Sequence, residues 1–260
     1  MTAARGEWAV GTALSFSTAT FATGAVLGPI TGGWIGEHYG MRMSFLAAAS
    51  IFILSNVCIF FIEGQPIDHH DPESPPPHLL SNQRFVFLMG VLALTMFSMY
   101  LAQPLTPIFL EGVRGLSLSQ TGFIFTAGAL GNSLMAILFS RLHPGRGFLF
   151  AQGLVALFAL LIWKGTSLPI FALGYFLLGG FRAARPMIWA QARDLVHDSQ
   201  MGVTYGIMET IAAVVFILTP PLAGRLFEVD PTTVYPLAIG LIVVSIIISY
   251  VFSLRGASHA

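Results

Sequence analysis

The chain has 260 residues, of which 55% are apolar and only 9% charged, and its mean hydropathy is +0.78. A water-soluble domain carries roughly 25% charged residues to wet its surface, so this composition excludes a soluble globule and requires most of the surface to face lipid. Its 12 basic and 12 acidic side chains cancel to a formal net charge of zero, which offers no electrostatic footprint for nucleic acid.

A helix that crosses the hydrocarbon layer needs about 20 mainly apolar residues. Eight stretches reach or approach that length: segment 1, Trp8–Ile35; segment 2, Met43–Ile62; segment 3, Phe85–Leu110; segment 4, Thr121–Phe139; segment 5, Gly147–Trp163; segment 6, Leu168–Trp189; segment 7, Gly202–Phe227; and segment 8, Tyr235–Phe252. The sequence therefore predicts an all-α membrane protein with about eight transmembrane helices. Segment 1 is rich in Thr, Ser, Gly and Ala, which let helix backbones approach closely, so it is expected to pack inside the bundle. Between segments 2 and 3 lies a polar stretch, residues 64–84, with Pro66, Pro72 and Pro75–Pro77. It cannot continue a helix and reads as a linker. The lone cysteine, Cys58, lies in an apolar run and cannot form an intrachain disulfide. No signal peptide is visible ahead of segment 1.

Basic residues in the loops set orientation. With a cytoplasmic N-terminus the inner side holds Arg5, Arg84, Arg141, Arg146, Arg193 and Arg255, and the outer side Arg42, Arg114, Lys164 and Arg225. This bias favours cytoplasmic N- and C-termini in a multi-pass protein of the cell membrane.

Segment 1 carries Gly24-x3-Gly28-Pro29-x2-Gly32-Gly33, followed by Glu37. Segment 7 repeats part of this at the same four-residue spacing, Pro220/Gly224/Glu228 against Pro29/Gly33/Glu37. The echo makes segments 1 and 7 equivalent members of two six-helix repeats, a plan on which transporters are commonly built. Two sixes make twelve, so four helices that would precede segment 1 are absent.

The glycine-proline motif resembles the antiporter motif on the fifth helix of major facilitator superfamily transporters, where it also follows a basic Arg-Gly turn, here Arg5-Gly6. Residues Ser140 to Arg146 resemble the degenerate basic motif after the family's eighth helix, without its acidic residue. The resemblance spans almost the whole chain and implies family helices five to twelve. It divides the chain into the last two helices of an N-terminal bundle (1–63), a cytoplasmic Pro-rich linker (64–84) and a six-helix C-terminal bundle (85–260). The fold it implies is an incomplete twelve-helix major facilitator arrangement. The family's strongest motif, after its second helix, is missing with the helix that carries it.

Ionisable groups inside a membrane are costly, so each is a functional candidate. Arg182 and Arg185 lie in segment 6, Glu209 in segment 7. At about 1.5 Å per residue, Arg182 is about 21 Å below the outer start of segment 6, and Glu209 about 10 Å above the inner start of segment 7. The two helices turn near Asp198, which sets Arg185 and Glu209 at similar depth. The cluster reads as an anion site or as an ion pair gating the cytoplasmic side, with snorkelling to the headgroups as the alternative. In segment 3, Pro104 and Pro107 remove backbone donors, which makes Tyr100 and Gln103 candidate cavity-lining groups beside a helix break. The resemblance adds that the corresponding family helix lines the central cavity. Asn132 and Gln152 are further lining candidates, or simply bond a neighbouring helix. Gly24, Gly28, Pro29, Gly32 and Gly33 read as a helix-packing motif, a seam about which repeats rock, without ligand contact.

His69, His70, Asp71 and His78 sit among linker prolines in no metal-binding spacing, so no metal is expected. No P-loop lysine pattern occurs, so ATP-driven transport finds no support, and no cofactor is expected. The reading is a secondary active transporter moving a small solute by alternating access, with drug or metabolite efflux favoured by the antiporter-like motif. Expected partners are the solute, the lipid bilayer and a coupling proton, with the chain acting as a monomer and no nucleic acid bound. The alternative is a non-transporting paralogue acting as a membrane scaffold or sensor. An intramembrane enzyme would need paired catalytic groups at one interface, whereas His143, His197 and Asp198 are scattered.

Overall fold

The computed structural model describes residues 10–59, 79–196 and 200–257, and among them every regular element is helical. In chain order these are α1 (Val10–Tyr39), α2 (Met41–Ile59), a 3-10 turn (Leu79–Ser81), α3 (Gln83–Tyr100), α4 (Thr106–Gly112), α5 (Leu118–Phe139), α6 (Pro144–Lys164), α7 (Leu168–Leu177), α8 (Gly179–Arg193), α9 (Met201–Val229) and α10 (Val234–Ala257). Among the described residues, five helices are long and apolar enough to cross a membrane: α3, α5, α6, α9 and α10. α2 is apolar over the shorter stretch Met41–Val57. Most of the linker, with His69, His70, Asp71 and His78, lies outside the described residues, as do Arg5, His197 and Asp198.

Local chemistry explains the boundaries. α1 turns into α2 through Gly40 alone, whose φ of 82° is open to glycine and unfavourable for residues with a side chain beyond Cα. Asn82 caps α3, its side chain accepting from the Arg84 and Phe85 amides. Ser117 and Gln120 form a reciprocal capping box at the start of α5. α6 opens on Pro144, whose missing N–H costs nothing in a first helical turn.

Two of the eight predicted segments are divided. Segment 3 breaks between α3 and α4, because Pro104 and Pro107 cannot donate to the carbonyls of Tyr100 and Gln103. The chain turns more tightly instead, with Gln103 N donating to Tyr100 O at 2.9 Å and Thr106 N to Gln103 O at 3.3 Å. Side chains take up freed carbonyls: Gln103 Nε2 donates to Met99 O at 2.8 Å, and the Thr106 hydroxyl donates to Ala102 O. Segment 6 divides into α7 and α8 at Leu178, which keeps helical dihedrals (φ −58°, ψ −19°) but is followed by a tight turn from Phe181 N to Leu178 O at 2.9 Å. The glycines that follow, Gly179 and Gly180, hold the helix weakly at this point.

The core lies between α3, α5, α6, α8 and α10, with Phe85, Met96, Ile124, Phe158 and Ile188 fully buried. Hydrogen bonds join the helices inside it. Thr95 meets Ser245 at 2.6 Å, Gln152 Nε2 donates to Ser249 Oγ at 3.2 Å, and Thr106 meets Tyr235 at 3.2 Å. Gln152 is thus a bridge from α6 to α10. α1 packs along one side on α5, and its other side stays exposed through Leu27, Ile30 and Trp34. α2 packs on α1, where Ser44 Oγ donates to Gly32 O at 3.2 Å.

Candidate functional site

A cavity of about 270 Å³ opens where the break between α3 and α4 faces α5 and the junction of α7 with α8. Gln103, Asn132, Tyr175, Phe125, Phe181 and Arg182 line it, and Ala25 of α1 closes one side. The small residues Gly128 and Gly179 make room for it. A Cβ on Gly179 would stand 2.5 Å from the Gly131 backbone, so α5 and the α7–α8 junction touch main chain to main chain. The elements converge here because glycine leaves no side chain to hold them apart.

Three of the sequence candidates, Gln103, Asn132 and Arg182, share this cavity. Gln103 points one amide proton at its own helix, at Met99 O, which orients the side chain beside the break. Phe125 and Phe158 hold Tyr175, with ring centroids 5.2 Å and 5.4 Å away. Tyr100 stands behind the lining. It stacks with Phe181 at 6.0 Å and meets Phe216 of α9 edge-on at 4.8 Å.

Arg185 and Glu209 are elsewhere. The Arg185 guanidinium grips both carboxylate oxygens of Glu209, joining α8 to α9. The same guanidinium lies 5.6 Å from the centre of the Trp189 ring, which in turn packs on Tyr205 of α9 at 5.5 Å. Although only three residues apart, the two arginines differ in kind: one is neutralised, the other lines a cavity whose walls carry no carboxylate.

The helix-packing motif also divides. A Cβ on Gly33 would meet Leu118 O of α5 at 2.7 Å, and one on Gly122 would meet Pro29 O at 2.5 Å. Thr126 Oγ1 donates to Val26 O at 3.0 Å, and the Glu37 carboxylate accepts from Ser119 N at 2.8 Å and Ser117 Oγ at 3.2 Å. Among the described residues nothing lies within 4 Å of a Cβ at Gly24 or Gly28, while Gly32 lies on the α2 side near Ser44.

Residues 3–150 and 88–259 each match the family profile of the Major Facilitator Superfamily. Together the two matches cover nearly all of the sequence. The chain belongs to the major facilitator superfamily. Similar curated proteins include the multidrug resistance protein MdtG of Proteus mirabilis, 28% identical over 236 residues, which are 85% of this chain and 52% of the relative. The multidrug resistance protein 1 of Bacillus subtilis is 22% identical over 95% of this chain and 65% of its own length. The inositol transporter 4 of Arabidopsis thaliana is 26% identical over 51% of this chain and 19% of its own length. The chain thus spans between half and two thirds of the length of these two multidrug resistance proteins.

As a major facilitator protein the chain has cavity walls that the sequence only partly announces. Phe125, Tyr175 and Phe181 sit in apolar runs where an aromatic ring looks like any lipid-facing residue. The available signal was the set of glycines around them, Gly128, Gly131, Gly179 and Gly180, which marks a close helix crossing rather than a lipid face.

Proposed function

We propose that this chain forms the solute-handling part of a secondary active transporter, moving a small solute across the cell membrane by alternating access, with export of a drug or metabolite as its direction. The observation that carries this reading is the cavity of about 270 Å³ built at a proline-broken helix and lined by Gln103, Asn132 and Arg182. Broken helices that present polar groups to a cavity are how such proteins bind solutes within a bilayer. The family and the multidrug resistance relatives support a transporter over an enzyme.

In this reading the Arg185–Glu209 pair is a latch between α8 and α9 that breaks and reforms as the cavity changes sides. Both termini face the cytoplasm, residues 64–84 link a two-helix N-terminal part to the six-helix part, the protein works as a monomer, and a proton is the coupling ion. The test is flux in cells or proteoliposomes, run on this chain and on the longest reading frame that contains it. Arg185→Ala and Glu209→Gln should each abolish flux while the protein stays in the membrane. Near-normal flux in both variants would discard the latch, and no flux of any solute from either reading frame would discard the transporter.

A further inference from the structure

We infer that the cavity selects solutes that carry an anionic group on a flat, apolar body, and that Arg182 is the residue that makes the selection. This deepens the transporter reading and rests on the same cavity.

Among the described residues, Arg182 is the only ionised side chain on the cavity wall, and no aspartate or glutamate faces it there. Among the described residues the neighbouring arginine is matched by Glu209, whereas Arg182 has neither an ion-pair nor a hydrogen-bond partner. Its side chain is exposed rather than packed. An unmatched guanidinium in segment 6, which the sequence predicts to lie within the membrane, is expensive, and such groups persist where they bind something. Its planar fork of N–H donors matches a carboxylate, sulfonate or phosphate in two parallel hydrogen bonds.

The remaining wall fits the rest of such a solute. Phe125, Tyr175 and Phe181 present ring surface, and flat rings pack on flat rings. The Asn132 side-chain amide has no partner among the described residues, so it is free to bond a solute oxygen or nitrogen beside the anion. A cation of the same shape would meet a positive field with no carboxylate to offset it. The volume of about 270 Å³ suits a solute of one or two rings.

The experiment measures binding rather than flux, so it fails or succeeds apart from the transport reading. The purified chain in lipid nanodiscs is titrated by equilibrium dialysis with 2-naphthoate and with 2-naphthylmethylammonium, which share a ring system and differ in charge. The anion should bind at least about tenfold more tightly than the cation. Arg182→Gln should remove that preference, Arg182→Lys should keep part of it, and Arg146→Gln, on an exposed first turn of α6 away from the cavity, should leave it unchanged. Equal or reversed affinities in the unaltered chain overturn the proposal, and so does binding of neither probe. A preference that survives Arg182→Gln also overturns it. If Arg182→Gln fails to fold, the comparison of the two probes on the unaltered chain still decides.

Discussion

Glu209 accepts both hydrogen bonds that the Arg185 guanidinium directs at α9, yet the two side chains remain 32% (Arg185) and 46% (Glu209) exposed. Solvent screens a pair this open, and in detergent its contribution to stability is at most about 1 kcal/mol. Loss of either partner should therefore spare the fold and strike the flux, which distinguishes a latch from a structural bridge. Exchanging the charges, Arg185→Glu with Glu209→Arg, should recover part of the flux that each single change removes; a swap as inactive as the single variants would mean that position, not pairing, matters. Asp230, in the turn between α9 and α10, is a simpler case. It accepts from the Thr232 amide at 2.7 Å and from the Thr232 hydroxyl at 2.8 Å, and these bonds hold its carboxyl below the usual value of 3.8. A lowered carboxylate pKa means that the turn is fully supported above pH 3.8 and loses support as pH falls through the folded value. Carbon-13 titration of the Asp230 carboxyl should show a midpoint below 3.8, and Thr232→Val should move it upward.

Among the helices, the seam between α1 and α5 shows what a glycine motif does when a neighbour is present. Gly33 and Gly122 face backbone so closely that a methyl group on either must push the helices apart. Gly33→Ala and Gly122→Ala should each destabilise the protein by about 1–3 kcal/mol, the usual range for overpacking. Gly24→Ala and Gly28→Ala add a methyl to open space, and should be neutral or gain up to about 1 kcal/mol in helix propensity. Thermal unfolding in one detergent would rank the four; a uniform cost would show that the motif acts along its whole length. The sequence shows all five motif residues as equals, because spacing alone cannot say which side of a helix finds a partner. The same limit applies to the echo on α9, where Gly224 has the spacing of Gly33 but meets nothing within 4 Å. Proline was far easier to read. Pro104 and Pro107 announce the break between α3 and α4 by chemistry, whereas the division at Leu178 rests on Gly179 and Gly180, which weaken a helix without forbidding it.

Across the molecule, the helical membrane architecture was legible because lipid demands long apolar runs, and that demand leaves its mark on α3, α5, α6, α9 and α10, the described helices long enough to span. Pairing of Arg185 with Glu209 was legible too, since two adjacent antiparallel helices fix relative depth. The cavity was legible only through Gln103, Asn132 and Arg182, its polar members. Its aromatic wall depends on which faces of α5 and α7 turn inward, a matter of crossing geometry that composition does not encode. The same geometry ties α1 to the site: Ala25 closes the cavity, while the Val26 and Pro29 carbonyls next along the helix meet Thr126 and Gly122 of α5 in the seam. If the cavity opens to alternate sides, α1 must shift against α5, because the wall and the seam lie on one helix. Glu37 and Ser117 face each other at the end of that seam, 3.2 Å apart. Glu37→Cys with Ser117→Cys, in a chain whose Cys58 is replaced by Ser, should crosslink with a short bis-methanethiosulfonate reagent, which makes up the reach that cysteine lacks beside glutamate. The locked protein should lose flux, regain it on reduction, and still bind 2-naphthoate while locked. Undiminished flux in the crosslinked state would show that α1 and α5 move as one body, and the moving boundary would then have to lie away from this seam, with the α8–α9 contact held by the Arg185–Glu209 pair as the next place to lock.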